Sequence, residues 1–278
     1  MKLNHIFFSL LFCFASCKGD SNDTTNVIVP PPSGDLPTDV TFWLTKADKS
    51  VLLSKQKVSL LFKDTVNVYP TIKVDETSQY QSIDGFGYCL TDGSATLINK
   101  LPSSTQDALL KELFGADSTS IGVSYLRVSI GASDLSATTY TYDDMPAGQT
   151  DVNLDHFSIG QQQSDLVQVL KRIVSIAPGI KILGSPWSAP VWMKDNGSFV
   201  GGSLKPEYYA TYAQYFVKYI QAMKAEGITI NAITPQNEPL HGGNNPSMVM
   251  QATEQAAFIK TALGPAFKSA GITTKIIC

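Results

Sequence analysis

The sequence is poor in charged residues, cysteine and histidine, and each shortage excludes a class of protein. Charged residues fill 16% of its 278 positions, the formal net charge is -3, and lysine and arginine form no cluster, so we expect no nucleic-acid partner. The three histidines have no metal-ligand spacing, and the four cysteines are too scattered for a disulfide framework or a zinc site. We therefore expect no metal and no cofactor. With 43% hydrophobic residues, the chain can bury a large core.

The apolar run near the N-terminus, Ile6–Ala15, is too short to cross a bilayer as a helix, and Lys2 precedes it. The run ends in Phe14-Ala15-Ser16-Cys17, which resembles a bacterial lipoprotein signal, where cleavage precedes a cysteine that becomes lipidated. We expect residues 1–17 to be this signal and Cys17 to carry lipid. The protein would then be exported and lipid-anchored to the bacterial outer membrane, on its periplasmic or cell-surface side. A plain secretory signal with a coincidental cysteine is the alternative.

Two segments of different composition follow the signal. Residues 18–39 are polar and then proline-rich, and cannot bury enough apolar surface to fold, so we expect a disordered linker. Residues 40–80 carry alternating β-type stretches, including Val58–Phe62 and Val66–Val74. These stretches predict strands of a small β-domain beside the main fold.

From residue 81 to residue 278 the pattern alternates between strands and helices, which predicts an α/β fold of parallel βα units with right-handed crossovers. Strands are expected at 82–87, 124–130, 180–184, 228–233 and 273–277, and helices at 93–100, 104–113, 165–176, 206–226 and 253–267. We expect the last helix to bend or break at Gly264-Pro265. Only about the first five units of a (β/α)8 TIM barrel fit, and a closed barrel needs eight strands and about 250 residues. We therefore expect the chain to be the front part of a longer protein.

The stretch from Ala232 to Pro239 is the candidate centre of the site. Its Asn237 and Glu238 follow directly after an apolar strand, and Pro235 and Pro239 stiffen the backbone around them. Catalytic residues of parallel α/β barrels lie at this edge. A carboxylate beside an amide is suited to donate a proton in the cleavage of a sugar. By its position alone, Glu238 could equally be an ordinary polar residue of a loop.

The loops after the earlier strands carry matching side chains. Asp92 follows the first strand, Asp134 the second, and Trp187 and Trp192 the third. A tryptophan offers a flat face for a sugar ring, and carboxylates bind its hydroxyls. Taken singly, Trp187 could belong to the core and Asp134 could cap a loop. Together, these loops predict a carbohydrate site at the mouth of the barrel.

Five motifs in the same order as in glycoside hydrolase family 30 carry a resemblance that extends from about residue 81 to the C-terminus. They are Ile83-Asp-Gly-Phe-Gly87, Tyr125-Leu-Arg-Val-Ser-Ile-Gly-Ala-Ser-Asp134, Tyr140-Thr-Tyr-Asp143, Gly184-Ser-Pro-Trp-Ser-Ala-Pro-Val-Trp-Met-Lys194 and Gln236-Asn-Glu-Pro239. The family includes glucosylceramidases and endo-β-1,6-glucanases. The resemblance implies a retaining hydrolase that cleaves β-glucosidic bonds, with a β-glucan or β-glucoside as substrate. The segment from Pro239 to Met248 looks more like the β-1,6-glucanase branch.

The resemblance also implies residue roles. It makes Glu238 the general acid/base and Asn237 the ligand of the hydroxyl beside the reacting carbon. Asp134 and Trp187 would hold the non-reducing sugar, and Arg127 would lie beneath the site near the nucleophile. Two features depart from the family pattern: Tyr88-Cys89 stands where Gly and a small residue are usual, and Leu135 replaces a common Phe.

A second carboxylate is missing from the predicted site. A retaining mechanism needs a nucleophile about 5–5.5 Å from the acid/base, and the family places this Glu after the seventh strand. The other glutamates, at 76, 112, 207, 226 and 254, precede the barrel or fall in helices. We therefore expect the nucleophile to be absent from this chain and the chain alone to be inactive. The alternative is a surface glycan-binding lipoprotein without turnover, in which Trp187 and Asp134 matter and Glu238 does not.

Overall fold

A computed structural model of the chain describes residues 38–64 and 66–278. The expected signal with Cys17 and nearly all of the expected linker therefore lie outside the described residues. The described chain divides into two compact units, with the boundary between Ser78 and Gln79. None of its helices is long and apolar enough to cross a membrane.

The first unit contains a small antiparallel pair, β1 (Trp43–Leu44) and β2 (Ser54–Lys55). The expected strands at 58–62 and 66–74 are not found: these residues form no strand, and Phe62 and Ile72 are 80% and 90% exposed. A β-type composition predicts a strand only where a neighbouring strand and a buried face exist. Residues 58–62 have one backbone–backbone hydrogen bond to a neighbouring described segment, from the Asp39 N–H to the Leu60 carbonyl oxygen at 2.8 Å, and this single bond does not make a ladder.

The second unit is built on a five-stranded parallel sheet whose strands lie in chain order. The strands are β3 (Gly87–Cys89), β4 (Tyr125–Ile130), β5 (Lys181–Pro186), β6 (Ala232–Ile233) and β7 (Lys275–Ile276). This order, with helices between successive strands, is that of an incomplete (β/α) barrel and confirms the predicted fold class. The carboxyl ends of all five strands lie at one edge of the sheet.

The helices are α1 (Asp92–Asn99), α2 (Ser103–Phe114), α3 (Gly160–Gln163), α4 (Leu166–Ile176), α5 (Tyr209–Ala225), α6 (Ala252–Phe258) and α7 (Gly264–Ser269). Short 3-10 turns occupy Val191–Met193 and Pro206–Tyr208. The aromatic stripe of α5 is core, as its 3.6 period predicts: Tyr212, Tyr215, Phe216 and Tyr219 are fully buried.

Three elements differ from the sequence prediction. The first strand of the sheet, expected at 82–87, runs from Gly87 to Cys89, because only these three residues pair with β4 and residues 82–86 form no strand. Strand β6 is two residues long, although 228–233 reads as a strand, because pairing with β5 covers only Leu183 and Gly184. The last helix is interrupted, as expected, but the irregularity lies in the turn just before Gly264-Pro265 rather than at these two residues. A π-helical turn, Ile259–Leu263, joins α6 to α7, and Pro265 stands in the first turn of α7, where a proline needs no N–H donor.

The first strand approaches its neighbour unusually closely at Gly87. A Cβ built there would lie 1.4 Å from the carbonyl oxygen of Tyr125. Only glycine therefore allows β3 to pair with β4 in the register that sets Cys89 opposite Arg127. The glycine at the end of the Ile83–Gly87 motif thus sets how closely β3 lies beside β4.

Candidate active site

The sheet register brings the predicted site residues to one edge. Arg127 pairs with Leu183, and Ile130 with Pro186, so the ends of β4 and β5 are level. The backbone N–H of Asn237 donates to the carbonyl oxygen of Pro186 at 2.8 Å, which holds the segment after β6 against the end of β5. The stretch with Asn237 and Glu238 therefore lies where the sequence predicts.

Arg127 is the centre of the hydrogen-bonded group at this edge. Its Nη2 donates to the Asn237 Oδ1 at 2.6 Å and to the Ser185 Oγ at 3.0 Å. Its guanidinium carbon lies 4.7 Å from the ring centroid of Trp187, a cation–π contact. Three consecutive strands or their loops are thus joined through one side chain.

This arrangement determines which way the Asn237 amide points. A guanidinium can only donate hydrogen bonds, so Asn237 must present its oxygen to Arg127. Its Nδ2 is then directed to the Oε2 of Glu238, at 3.3 Å. Arg127 therefore orders an amide donor beside the carboxyl group of Glu238.

Glu238 itself combines an exposed side chain with an unusual backbone. Its φ is 44°, in the left-handed region that non-glycine residues rarely adopt. Such a conformation costs on the order of 1–3 kcal/mol, and residues that adopt it cluster at functional sites. Its carbonyl oxygen accepts the N–H of His241 at 2.8 Å, so the strained turn is closed by a hydrogen bond.

Trp187 lies beneath this group with only 5% of its surface exposed. Buried Gln236 donates from its Nε2 to the carbonyl oxygens of Trp187 and Asn237, at 2.7 and 2.9 Å. The Trp187 Nε1 is buried and finds no hydrogen-bond partner among the described residues. The indole is therefore fixed by packing against Arg127 and by the backbone that Gln236 holds.

Asp134 joins the site through a residue that the motifs do not include. The Nδ2 of Asn244 lies 3.1 Å from the Oδ2 of Asp134 and 3.4 Å from the Oε2 of Glu238. The Oδ2 of Asp134 and the Oε2 of Glu238 therefore cannot be farther apart than the sum of these two distances. Together, Arg127, Asn237, Glu238, Trp187, Asp134 and Asn244 form one connected set of side chains.

The family model for the glycosyl hydrolase family 30 TIM-barrel domain matches residues 83–277, which include every residue of this set. The chain belongs to glycosyl hydrolase family 30. This membership agrees with the five motifs and with the parallel sheet that carries the site.

Several family 30 relatives are similar along the same region. The endo-1,6-beta-D-glucanase of Neurospora crassa is 42% identical over 215 residues, which cover 74% of this chain and 44% of that protein. The lysosomal acid glucosylceramidase of Mus musculus is 34% identical over 72% of this chain and 40% of its own length. The solved structure of the endo-beta1,6-glucanase BT3312 matches with a TM-score of 0.77 and 38% identity, over 86% of this chain and 52% of that one. The chain thus spans about half the length of the relatives it matches.

Two predicted site residues of this family 30 chain lie outside the connected set. Asp92 is buried and accepts hydrogen bonds from the Ser136 hydroxyl at 2.6 Å and the Tyr140 hydroxyl at 3.0 Å. It therefore anchors the loop that carries Asp134. Trp192 is 8% exposed and donates from Nε1 to the Asp143 carbonyl oxygen at 2.9 Å. No hydrogen bond joins Asp92 or Trp192 to Glu238 in the described part of the chain.

Behind Trp192 lies a buried acidic pair. Burial raises the pKa of Asp143 to about 7, and the nearby Asp151 carboxylate adds to this effect. Burial opposes ionisation of Asp151 too, but hydrogen bonds, among them those from His156, hold its pKa at about 2. Both Asp143 carboxyl oxygens lack a hydrogen-bond partner within the described chain. Asp143 therefore retains its proton close to neutral pH.

Sequence reasoning missed four residues that support the site: Ser185, Lys194, Gln236 and Asn244. Lys194 is 1% exposed, and its Nζ donates to the Ser188 hydroxyl at 3.0 Å and the Ser247 carbonyl oxygen at 2.7 Å. Burial lowers its pKa to about 8. Its place at the end of the Gly184–Lys194 motif was the available signal, although lysines in loops are mostly exposed.

The described residues contain no group of three or more His, Cys, Asp or Glu side chains that could hold a metal ion. The connected set itself consists of two carboxylates, two amides, one guanidinium and one indole. An exposed carboxylate with ordered amide donors can transfer a proton to a bound substrate.

Proposed function

We propose that this chain carries the acid/base half of the active site of a retaining glycoside hydrolase that cleaves β-glucosidic bonds. The observation that supports this most strongly is the hydrogen-bonded series from Arg127 through Asn237 to Glu238 at the carboxyl edge of the sheet. It presents an exposed carboxyl group beside a tryptophan and a second carboxylate. Proton transfer to a glycosidic oxygen requires a carboxyl group of this kind and side chains that hold the sugar next to it.

In the proposed reaction, Glu238 donates a proton to the leaving-group oxygen in the first step and removes one from water in the second. Asn237, which Arg127 orients, binds the hydroxyl next to the reacting carbon. Trp187 and Asp134 hold the sugar ring. Each role needs the side chain to keep its direction as charge develops, and the fixed hydrogen bonds support this.

The retaining reaction also needs a nucleophile, and we propose that none of the other five glutamates of the chain provides it. Glu112 lies in α2, Glu207 and Glu226 border α5, Glu254 caps α6 and Glu76 belongs to the first unit. Asp134 is the carboxylate that shares Asn244 with Glu238. We assign Asp134 to sugar binding, so residues 1–278 alone should not turn over substrate.

This assignment has a direct test. Purified chain 1–278 is incubated with an aryl β-glucoside beside its Glu238→Gln and Asp134→Asn variants. We expect no turnover above the Glu238→Gln control. Turnover above that control, retained or lost in Asp134→Asn, would contradict the absence of a nucleophile from residues 1–278.

For the substrate we propose a β-1,6-linked glucan. Three relatives that are 40–42% identical to this chain are named endo-1,6-β-glucanases, whereas the named glucosylceramidases are 28–34% identical. The comparison of hydrolysis rates on a β-1,6-glucan and on glucosylceramide, with the full gene product, tests this choice. A faster rate on glucosylceramide would contradict it.

The test of Glu238 uses two aryl β-glucosides in the full gene product. Glu238→Gln should lower kcat/KM on the poor leaving group by 10²–10⁴-fold, the usual worth of acid/base help. A dinitrophenyl glucoside needs no proton to leave, so its first step should continue, and added azide should restore turnover as the β-glycosyl azide. An equal loss on both substrates without azide rescue would contradict the acid/base role.

A surface glycan-binding protein without turnover is the competing function. It shares the sugar-holding residues Trp187 and Asp134 and has no use for Glu238. The binding of gentiobiose to residues 1–278 can be measured by calorimetry. It should weaken in Trp187→Phe whether the protein is a hydrolase or only binds glycan. Only the hydrolase proposal expects Glu238→Gln to abolish turnover by the full gene product while binding remains.

We also propose that the protein is exported and anchored through lipid on Cys17. The support is the sequence alone: a basic start, a short apolar run and a cysteine after small residues. An anchor of this kind would hold the hydrolase at the membrane where it meets glucan outside the cytoplasm.

A further inference from the structure

Asn244 occupies a central place that no motif assigns to it. Its side-chain nitrogen is the only described donor that contacts both Asp134 and Glu238, residues that are 110 and 6 positions away in the chain. Two amides, those of Asn237 and Asn244, converge on the same oxygen of Glu238, Oε2, at 3.3 and 3.4 Å. The other oxygen, Oε1, receives neither of them.

The convergence on Oε2 has a chemical consequence. Amide N–H groups are donors, so they favour an oxygen that accepts and disfavour one that carries a proton. When the carboxyl group is protonated, the proton therefore belongs on Oε1. Two donors on one oxygen also restrict rotation of the carboxyl plane, which keeps Oε1 pointing in one direction.

Asn244 is itself held by a buried support. The backbone carbonyl oxygen of Asn244 accepts a hydrogen bond from the Ser247 hydroxyl at 2.6 Å. The same hydroxyl oxygen accepts a hydrogen bond from the N–H of Gly201 at 2.9 Å. The carbonyl oxygen of Ser247 accepts the ammonium of Lys194 at 2.7 Å. At the base of the loop, the N–H of Met250 donates to the carbonyl oxygen of Pro239 at 2.8 Å. The loop after β6 is therefore tied to the loop after β5 directly beneath Asn244.

We propose that Asn244 is a positioning residue of the site: it holds the Glu238 carboxyl so that Oε1 bears the transferable proton, and the Lys194–Ser247 tie holds Asn244. The proposal rests on the proposed function of Glu238. It extends the site to a side chain that orients the acid without contacting the glycosidic bond. The proposal also explains why Lys194 is buried. A charged group is removed from water only where hydrogen bonds compensate it, and here these bonds hold the loop that carries Asn244.

The first test needs no turnover. The chain has six glutamates, so a sample labelled with 13C at the glutamate carboxyl carbon has six NMR signals, and Glu238→Gln identifies the signal of Glu238. Asn244→Ala should displace this signal at constant pH. Asn245→Ala is the matched control, because Asn245 is the same residue type in the same loop and is exposed, and it should leave the signal in place. No displacement in Asn244→Ala, or an equal one in the control, would overturn the proposal.

The second test uses turnover by the full gene product. Misplacement of the acid should lower kcat/KM on an aryl glucoside with a poor leaving group on the order of 10-fold to 100-fold in Asn244→Ala. The loss should be much smaller on a dinitrophenyl glucoside, which needs no proton, and should appear in kcat rather than KM. Asn245→Ala should change neither substrate. A loss of the same size on both substrates, or a loss in KM alone, would mean that Asn244 binds sugar and does not orient the acid.

The two tests separate this proposal from the proposed function. If Glu238→Gln has no effect on either glucoside, the acid/base role of Glu238 fails, and the NMR result still decides whether Asn244 holds its carboxyl group. If Glu238→Gln behaves as expected and Asn244→Ala behaves like its control, the proposed function stands and the role of Asn244 is refuted.

Discussion

The buried Lys194 should make the stability of this protein depend on pH in a way that a single substitution isolates. Its ammonium is 1% exposed and donates to the Ser188 hydroxyl and the Ser247 carbonyl oxygen. Burial disfavours the charged form, and this lowers its pKa from 10.5 to about 8, although Asp195 partly opposes the effect. Lys194→Met keeps the apolar stem and removes the group that titrates.

The size of the effect follows from the two pKa values. In the unfolded chain Lys194 keeps its proton up to about pH 10.5, whereas in the folded chain it loses the proton at about pH 8. Between these values the unfolded state binds more protons, so the free energy of unfolding increases as pH rises. The full difference corresponds to about 3 kcal/mol. Below pH 8 both states are protonated, and the contribution is constant.

The measurement is urea unfolding followed by circular dichroism at pH 7, 8, 9 and 10. The quantity to plot is the free energy of unfolding of the wild type minus that of Lys194→Met. It should be flat below about pH 8 and then rise by on the order of 1 kcal/mol for each pH step. Other titrating groups cancel in the difference. Lys100→Met, at an exposed lysine, is the control and should give no rise.

A flat difference up to pH 10 would refute the reasoning. It would mean that the Lys194 ammonium remains hydrated in the folded state, and that the tie to Ser247 is not closed in solution. The absolute effect at pH 7 is less informative. Removal of the ammonium relieves a buried charge but leaves two acceptors without a donor, and these terms have opposite signs.

Three further outcomes are expected, two from contacts of the structure and one from the sequence. Asp143→Asn should raise the melting temperature at pH 8 and change it little at pH 4, because the folded-state pKa of about 7 makes the wild type lose stability as pH rises from 3.8 to 7; an equal gain at both pH values would contradict this. Arg127→Met leaves the Asn237 oxygen without its donor and should lower kcat/KM of the full gene product on the order of 10-fold to 100-fold, with an unchanged dichroism spectrum. Cys17→Ala should move the protein from the membrane to the soluble fraction on cell fractionation, and continued membrane association would refute lipid attachment.

Local periodicity predicted the helices well. The 3.6-residue stripe of α5 and the apolar face of α4 describe which side of each helix meets the sheet, and both lie in the core. The bounds of α1, α2 and α4 agree with the prediction to within a residue at each end. This agreement has a simple cause: a helix satisfies its own backbone hydrogen bonds, so its extent depends mainly on nearby residues.

Strand lengths were predicted poorly, because a strand exists only through its neighbours. The β-type segments at 58–62 and 66–74 form no strand, and 228–233 contributes only Ala232 and Ile233 to the sheet. The composition of these segments is compatible with strands throughout. Register and pairing, which local sequence does not contain, decided where the ladder begins and ends.

The residues of the candidate site also fall into two groups, those placed by local sequence and those placed by tertiary contacts. The sequence by itself determined that Glu238, Asn237, Asp134 and Trp187 follow the ends of successive strands, because the alternation of strand and helix sets that order. Only the tertiary structure brought Asn244 between Asp134 and Glu238 and buried Lys194 beneath them. A loop residue can meet any side chain that the sheet register brings to the same edge, and this register arises from contacts between residues far apart in the chain.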